Sequence, residues 1–274
     1  MGAALATLVS NSIMLSYSLW YLAVRMKVFA NPFVPLATLI ESWRHMLGIG
    51  VPAILTNTII PFSSAIVVSM IAAYGVDAVA GFGVAARIEP FALLVFYSLS
   101  AVASPFFGQN FGADQYGRLI EARRLIARFC IGYGAILAVV MSLVARPVTG
   151  LFSESETIRE VAVHYIWLVA WGYGAHGLVM SINSAFNGTG RPIPAVVISV
   201  SRVILLFLPL ALLGRWLFGI EGIFAASAIC NVLLATLAWV WLGRHIAAHA
   251  GHPLAVEGRF AAQNEVRKDT PLPP

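Results

Sequence analysis

Asn57, Glu89, His176, Arg202 and Asn231 stand inside long apolar runs of a 274-residue chain, where no water is at hand to solvate them. A charge at the centre of a hydrocarbon layer costs at least ~2.5–3.5 kcal/mol on insertion scales, so each such residue is held by a partner or put to use. Arg87, shallower than Glu89 in the same run, and Asn183 complete the set of candidates. The chemistry open to these side chains is reversible protonation, ion pairing and hydrogen bonding, and bond cleavage is not indicated. The sequence has no P-loop, serine elbow, HExxH helix or acidic metal cluster. No enzyme activity, ATP use, metal or cofactor is therefore expected.

Desolvation favours the neutral form of a carboxyl group and a nearby cation favours the charged form. Glu89, exposed to both influences, is placed to change protonation near neutral pH, as coupling to a proton gradient requires. A fixed structural ion pair is the alternative. Arg87 is two positions away, about 200° around a helix, and cannot face Glu89, which leaves His176, Arg202 or Asn57 as partners. Arg202 never deprotonates and reads as an ion-pair anchor, with the role of an electrostatic neighbour of Glu89 as the alternative. His176, set among Gly174, Ala175 and Gly177, reads either as a satisfied histidine in a close helix contact or as a group that touches a ligand. Pro90 removes the donor that would serve the Ala86 carbonyl, so a kink is predicted beside Glu89. Aromatic residues such as Phe82, Phe96, Tyr97 and Tyr173 run along the same segments. Such stripes usually pack in the core or face lipid, yet rings beside a buried acid would also suit an amphipathic organic cation.

The elements that must position these residues follow from composition. Of the residues, 59% are apolar and 11% charged, against about 25% charged in a soluble domain, so lipid must solvate most of the outside. Seven apolar runs can each cross a hydrocarbon core, at about 3–24, 47–71, 79–105, 125–146, 164–186, 194–214 and 220–243. The expected fold is an all-α polytopic membrane helix bundle. It divides into a transmembrane helix at 1–28, an interfacial linker at 29–46, six helices over 47–244, and a cytoplasmic, poorly ordered tail at 245–274. Counted inward from the run ends, the five polar residues lie 8 to 11 residues deep, roughly 12–16 Å at 1.5 Å per residue. Five helices sharing polar groups at one depth make a cavity.

Charge sets the orientation. With Arg25 and Lys27 in the cytoplasm, alternation puts Arg118, Arg123, Arg124, Arg128, Arg191 and Arg244 there too, and leaves the other side rich in Asp and Glu. The N-terminus is then outside and the C-terminus inside a cell (inner) membrane. The net charge of +5 is spread between apolar runs, so it is a topology signal and no nucleic-acid partner is expected. Met1 is followed at once by an apolar helix with no leading positive charge, an arrangement more natural if further helices precede it. Cys130 and Cys230 lie within apolar runs and read as inert small hydrophobes.

Several segments together resemble the multidrug and toxic compound extrusion (MATE) transporters. They are Leu47-Gly48-Ile49-Gly50-Val51-Pro52, Arg87-Ile88-Glu89 with Gly108-Gln109-Asn110-Phe111-Gly112-Ala113, Asn187-Gly188-Thr189-Gly190-Arg191-Pro192, Leu208-Pro209-Leu210 and Gly219-Ile220-Glu221-Gly222. The similarity runs from about Gly2 to Arg244. It implies two six-helix lobes around a central cavity, of which this chain resembles the sixth helix and the C-terminal lobe, with an N-terminal lobe missing. It implies efflux of amphipathic cations in exchange for H⁺ or Na⁺. Sodium-coupled members carry an acid in the helix matching 47–71, where no Asp or Glu occurs between Val51 and Tyr74, and an Asp where His176 aligns. Glu89 is the acid that remains, so H⁺ is the expected coupling ion. A lipid flippase of the wider superfamily, or a non-transporting fragment or accessory subunit, are the alternatives.

Overall fold

Apolar helices that must satisfy every backbone hydrogen bond internally leave little room for other structure in a bilayer, and every element described is helical. The computed structural model describes residues 2–26 and 36–250, with the side chains of several residues between 37 and 60, Asn57 among them, outside that description. The last two residues of the expected first helix, the part of the expected linker at 29–35, and the tail from residue 251 likewise lie outside the described residues. The chain forms two units, residues 1–48 and 49–274. In the first, α1 (Gly2–Trp20) continues into a π-helical turn, Tyr21–Arg25. Tyr17 packs near Trp20 and stacks on Tyr21.

Helix α2 spans Leu36–Ala72, α3 Val76–Ala92, α4 Leu94–Gly112 and α5 Tyr116–Gly150. Then come α6 (Glu156–Val169), α7 (Tyr173–Gly188), α8 (Pro192–Ser201) and α9 (Leu208–Ala250). A 3₁₀ turn, Ala170–Gly172, joins α6 to α7, and a π-helical segment, Arg202–Phe207, joins α8 to α9. Large apolar side chains such as Leu143, Trp216 and Phe218 are more than two-thirds exposed. That surface suits lipid rather than water, so the fold is a polytopic helical membrane bundle.

Among the described residues, two helices, Tyr116–Gly150 and Pro192–Ala250, are long and apolar enough to cross a membrane. The pair Val76–Ala92 and Leu94–Gly112, bent by 50°, makes a third when counted as one span. The expectation of about seven rests on runs that the backbone divides differently. The run at 164–186 begins earlier, at Glu156, and breaks at Ala170–Gly172. The runs at 194–214 and 220–243 lie in one stretch interrupted at Gly219, whose φ of 64° and ψ of −136° only glycine adopts readily. Leu36 is already helical, so the part of the expected linker that is described belongs to α2. At the other end α9 runs to Ala250, which corrects the tail: His245 and His249 are helical. Polar composition concealed this, because both imidazoles pack on Phe111, at 5.8 and 5.3 Å between ring centres.

The second unit is cemented by α7, whose face is cut back to glycine where neighbours press on it. Cβ atoms at Gly174 and Gly177 would run into the Cys130 carbonyl of α5 and the Phe96 ring of α4. Ser100 and Ser184 share a 2.7 Å hydrogen bond between α4 and α7, and the Trp167 indole donates to the Ser142 carbonyl between α6 and α5 at 3.0 Å. Gly174→Ala should therefore destabilise the bundle by about 1–3 kcal/mol, the cost of overpacking. Gly132→Ala, on an open face of α5, should stabilise it by about 0.4–1 kcal/mol. Thermal melting of the two variants in detergent would check both signs.

Candidate functional site

A cavity of about 390 Å³ opens inside the second unit, with walls from α2, α3, α4, α6, α7, α8, α9 and the π segment. Its polar lining includes Glu89, Tyr165, His176, Asn183, Ser199 and Arg202. Glu89 and Arg202 each stand beside an irregularity of backbone. Pro90 follows Glu89, and α3 ends at Leu93, whose N–H bonds to the carbonyls of Glu89 and Phe91 before α4 sets off at its new angle. The predicted kink is thus present, displaced three residues along the chain, and Ala86 lies on the cavity wall. Arg202 opens the π-helical segment. Pro209 follows soon after, and its missing N–H would leave an α-helical carbonyl at Leu205 unserved.

Tyr165 donates its hydroxyl hydrogen to Glu89 Oε2 at 3.2 Å, tying α6 to α3. Arg202 is the cationic neighbour of this carboxylate, yet the ion pairs among the described residues do not include the two together. The Arg202 carbonyl accepts the Cys230 thiol at 3.4 Å. Asn183 Nδ2 donates to Ser199 Oγ at 3.4 Å, between α7 and α8. Its Oδ1 and the Nδ1 of His176 are buried without a partner. Phe82 and Phe224 meet the Tyr165 ring edge-on at 5.4 and 5.1 Å, so the acid sits in an aromatic collar.

Of the residues expected from sequence, Glu89, His176, Asn183 and Arg202 converge on this one cavity. Asn231 is buried behind it and pairs with His176. Arg87 does not belong: its side chain is exposed on a different face of α3, as the angle between positions two apart requires. The Asn57 side chain lies outside the described residues. Tyr165 was missed, because the run boundary at 164 put it at a membrane surface. It is nine residues into α6 from Glu156, about 13 Å along the helix. The serines Ser63, Ser64, Ser199 and Ser227 also line the cavity; hydroxyls within apolar runs were the signal for them. The volume is in the range of small-molecule sites, which are mostly apolar with a few placed polar groups. The arrangement can hold a proton or an organic cation at Glu89 while rings and unpaired polar atoms contact the rest of a ligand.

A family model described as MatE matches residues 52–213. An FAD transporter of Shewanella oneidensis is 33% identical over 245 residues, covering 89% of this chain and 54% of that protein. The multidrug export protein MepA of Staphylococcus aureus is 24% identical over 240 residues, covering 86% and 52%. The chain thus spans about half the length of these curated relatives. Among solved structures, the MATE transporter VcmN of Vibrio cholerae in its bent form superposes with a TM-score of 0.79 at 24% identity, over 90% of this chain and 56% of that one.

Two residues with unpartnered polar atoms should be felt by a ligand. His176→Ala and Asn183→Ala should each weaken binding of a fluorescent aromatic cation such as ethidium about fivefold, the effect of one hydrogen bond worth ~1 kcal/mol. Arg87→Gln should leave the affinity within about twofold. Fluorescence anisotropy with the full chain in detergent reads all three.

Proposed function

The chain belongs to the MATE family of membrane transporters, and from that premise we propose that it serves secondary active export of amphipathic aromatic compounds, organic cations foremost, in exchange for protons. The observation that carries this reading is Glu89: a carboxylate on a cavity wall, hydrogen-bonded to Tyr165 and in no close ion pair among the described residues. Such an acid serves two states in turn. Ionised, it attracts a cationic ligand; protonated, it lets the ligand go. A proton gradient then biases which state faces which side.

Protons suit the site better than Na⁺. A hard metal cation wants several oxygen ligands, and Glu89 is the one carboxylate lining the cavity among the described residues. Between Val51 and Tyr74 the sequence has no acid at all. Alternating access would come from rocking of this six-helix lobe against a second lobe, in an inner membrane with the arginine-rich loops, and the C-terminus, in the cytoplasm. A flippase would want several cavity arginines for a pyrophosphate; Arg202 lines the cavity and Arg87 does not.

A second cargo reading has its own support. The 33% identical relative from Shewanella oneidensis is an FAD transporter, and a flavin nucleotide is an aromatic anion for which Arg202 and the collar of Phe82, Tyr165 and Phe224 are suitable neighbours. In inverted membrane vesicles carrying the intact transporter, a pH gradient should drive uptake of ethidium, and a Na⁺ gradient alone should not. Glu89→Gln should reduce the pH-driven uptake by more than tenfold, a loss of about 1.4 kcal/mol or more. Undiminished pH-driven uptake by Glu89→Gln would overturn proton coupling through this residue. Uptake of FAD in place of ethidium would decide the cargo for the second reading.

A further inference from the structure

A second concavity, about 490 Å³ and largely apolar, lies between α5, α7 and the part of α9 after Gly219. Ile131 and Ala135 of α5, Trp171 of the 3₁₀ turn, Leu178 of α7, and Thr236 and Trp239 of α9 are among its walls. Its floor is the contact of Gly134 with Gly174, where a Cβ on either would strike the other's backbone. It is separate from the transport cavity. The 3₁₀ turn and α7 present Trp171, Gly174, Ala175 and Leu178 to this groove, and α7 presents His176, Val179, Met180 and Asn183 to the cavity. Ile131, Trp171 and Val232 are exposed at its mouth, so it opens sideways onto the apolar surface.

Arg123 sits where the groove ends. It is one helical turn before Ala127, and its guanidinium lies 3.8 Å from the centre of the Trp239 ring. Gly243, one turn further along α9, leaves space for the same guanidinium, since a Cβ there would collide with it. A tryptophan face and a glycine notch thus hold the fork in place. What it lacks, among the described residues, is an anion. Its Nε is buried without a hydrogen-bond partner, the ion pairs among the described residues do not involve it, and the charge acting on it is the like charge of Arg124. A guanidinium fixed in place with no carboxylate on it among the described residues is a fork suited to a phosphate.

We propose that this groove binds an anionic phospholipid of the surrounding bilayer, with its phosphate on Arg123 and one acyl chain lying along the groove toward the Gly134–Gly174 contact. The dimensions agree. From Ala127 to Ala135 is eight residues of α5, about 12 Å, close to the depth of one leaflet of a hydrocarbon core ~30 Å thick. The charge agrees as well: Arg118, Arg124, Arg128 and Arg244 belong to the same end of the helices, and basic pockets between transmembrane helices at that surface select anionic headgroups.

Native mass spectrometry of the full chain, titrated with phosphatidylglycerol and with phosphatidylcholine of the same acyl chains, tests this. The wild type should retain phosphatidylglycerol at about tenfold lower lipid concentration than phosphatidylcholine, the effect of one charge-assisted contact. Arg123→Gln should abolish that preference, and Arg123→Lys should keep most of it. Ala135→Trp, which fills the groove and leaves the arginine, should remove retention of both lipids. Arg124→Gln should leave the preference within about twofold. Equal retention of the two lipids by the wild type, a preference that survives Arg123→Gln, or full retention by Ala135→Trp would each overturn the proposal.

Discussion

The hydrogen bond from the Tyr165 hydroxyl to Glu89 is the contact around which the second unit is arranged. A carboxylate among apolar helices must be stabilised or neutralised, and removing the one partner of a buried charge is strongly destabilising. Here the stabilisation is partial. Tyr165 supplies one neutral donor, and Arg202 contributes charge from across the cavity without a close pair. A tight Arg202–Glu89 bridge would have fixed the charge and closed the space between α3 and the π segment. Half-compensated, the acid is left open to the proton exchange proposed above, which a fixed ion pair would oppose.

The backbone interruptions follow from the same requirement. A polar cavity inside a bilayer is tolerated where irregular backbone lines it and nowhere toward lipid. The bend after Pro90, the 3₁₀ turn at Ala170–Gly172 and the π segment from Arg202 all border the site or lead directly into it. Each lets a side chain reach the interior that a straight helix would have carried past. The close glycine contacts of α7 offset what these breaks cost in helical regularity. They bring α4, α5 and α9 near enough for dispersion contacts that lipid cannot match.

Much of the site was legible because depth in a membrane can be counted. Glu89, His176 and Arg202 were found by their chemical type and their distance from the ends of apolar runs, and Asn183 by its type alone; the four share a cavity. Counting gives depth and not azimuth. Arg87 passed the depth test, but its angle from Glu89 already told against it, and its side chain is exposed. Tyr165 failed the depth test for the opposite reason. The polar first turns of α6, with Glu156, Arg159 and Glu160, hid the true start of the helix and so its depth. The π segment had a visible cue in Pro209, yet a proline can be met by a kink, a bulge or a break, and only packing chooses among them. The helical His245 and His249 were invisible for another reason: composition scored them as polar, while their environment is the Phe111 ring.

The two concavities are joined through α7. One face of this helix offers His176 and Asn183 to the cavity, and the other forms a wall of the apolar groove. Gly172 of the 3₁₀ turn meets α9, and Gly174 and Gly188 of α7 meet α5 and α4, in backbone contacts that cannot be relieved by turning a side chain. The groove and the cavity therefore share one closely held wall, with Leu178 on one face of α7 and His176 on the other. A purely apolar groove would respond to any acyl chain alike. With Arg123 clamped between Trp239 and Gly243 at its end, the groove as proposed would choose its lipid by headgroup charge as well as by apolar contact.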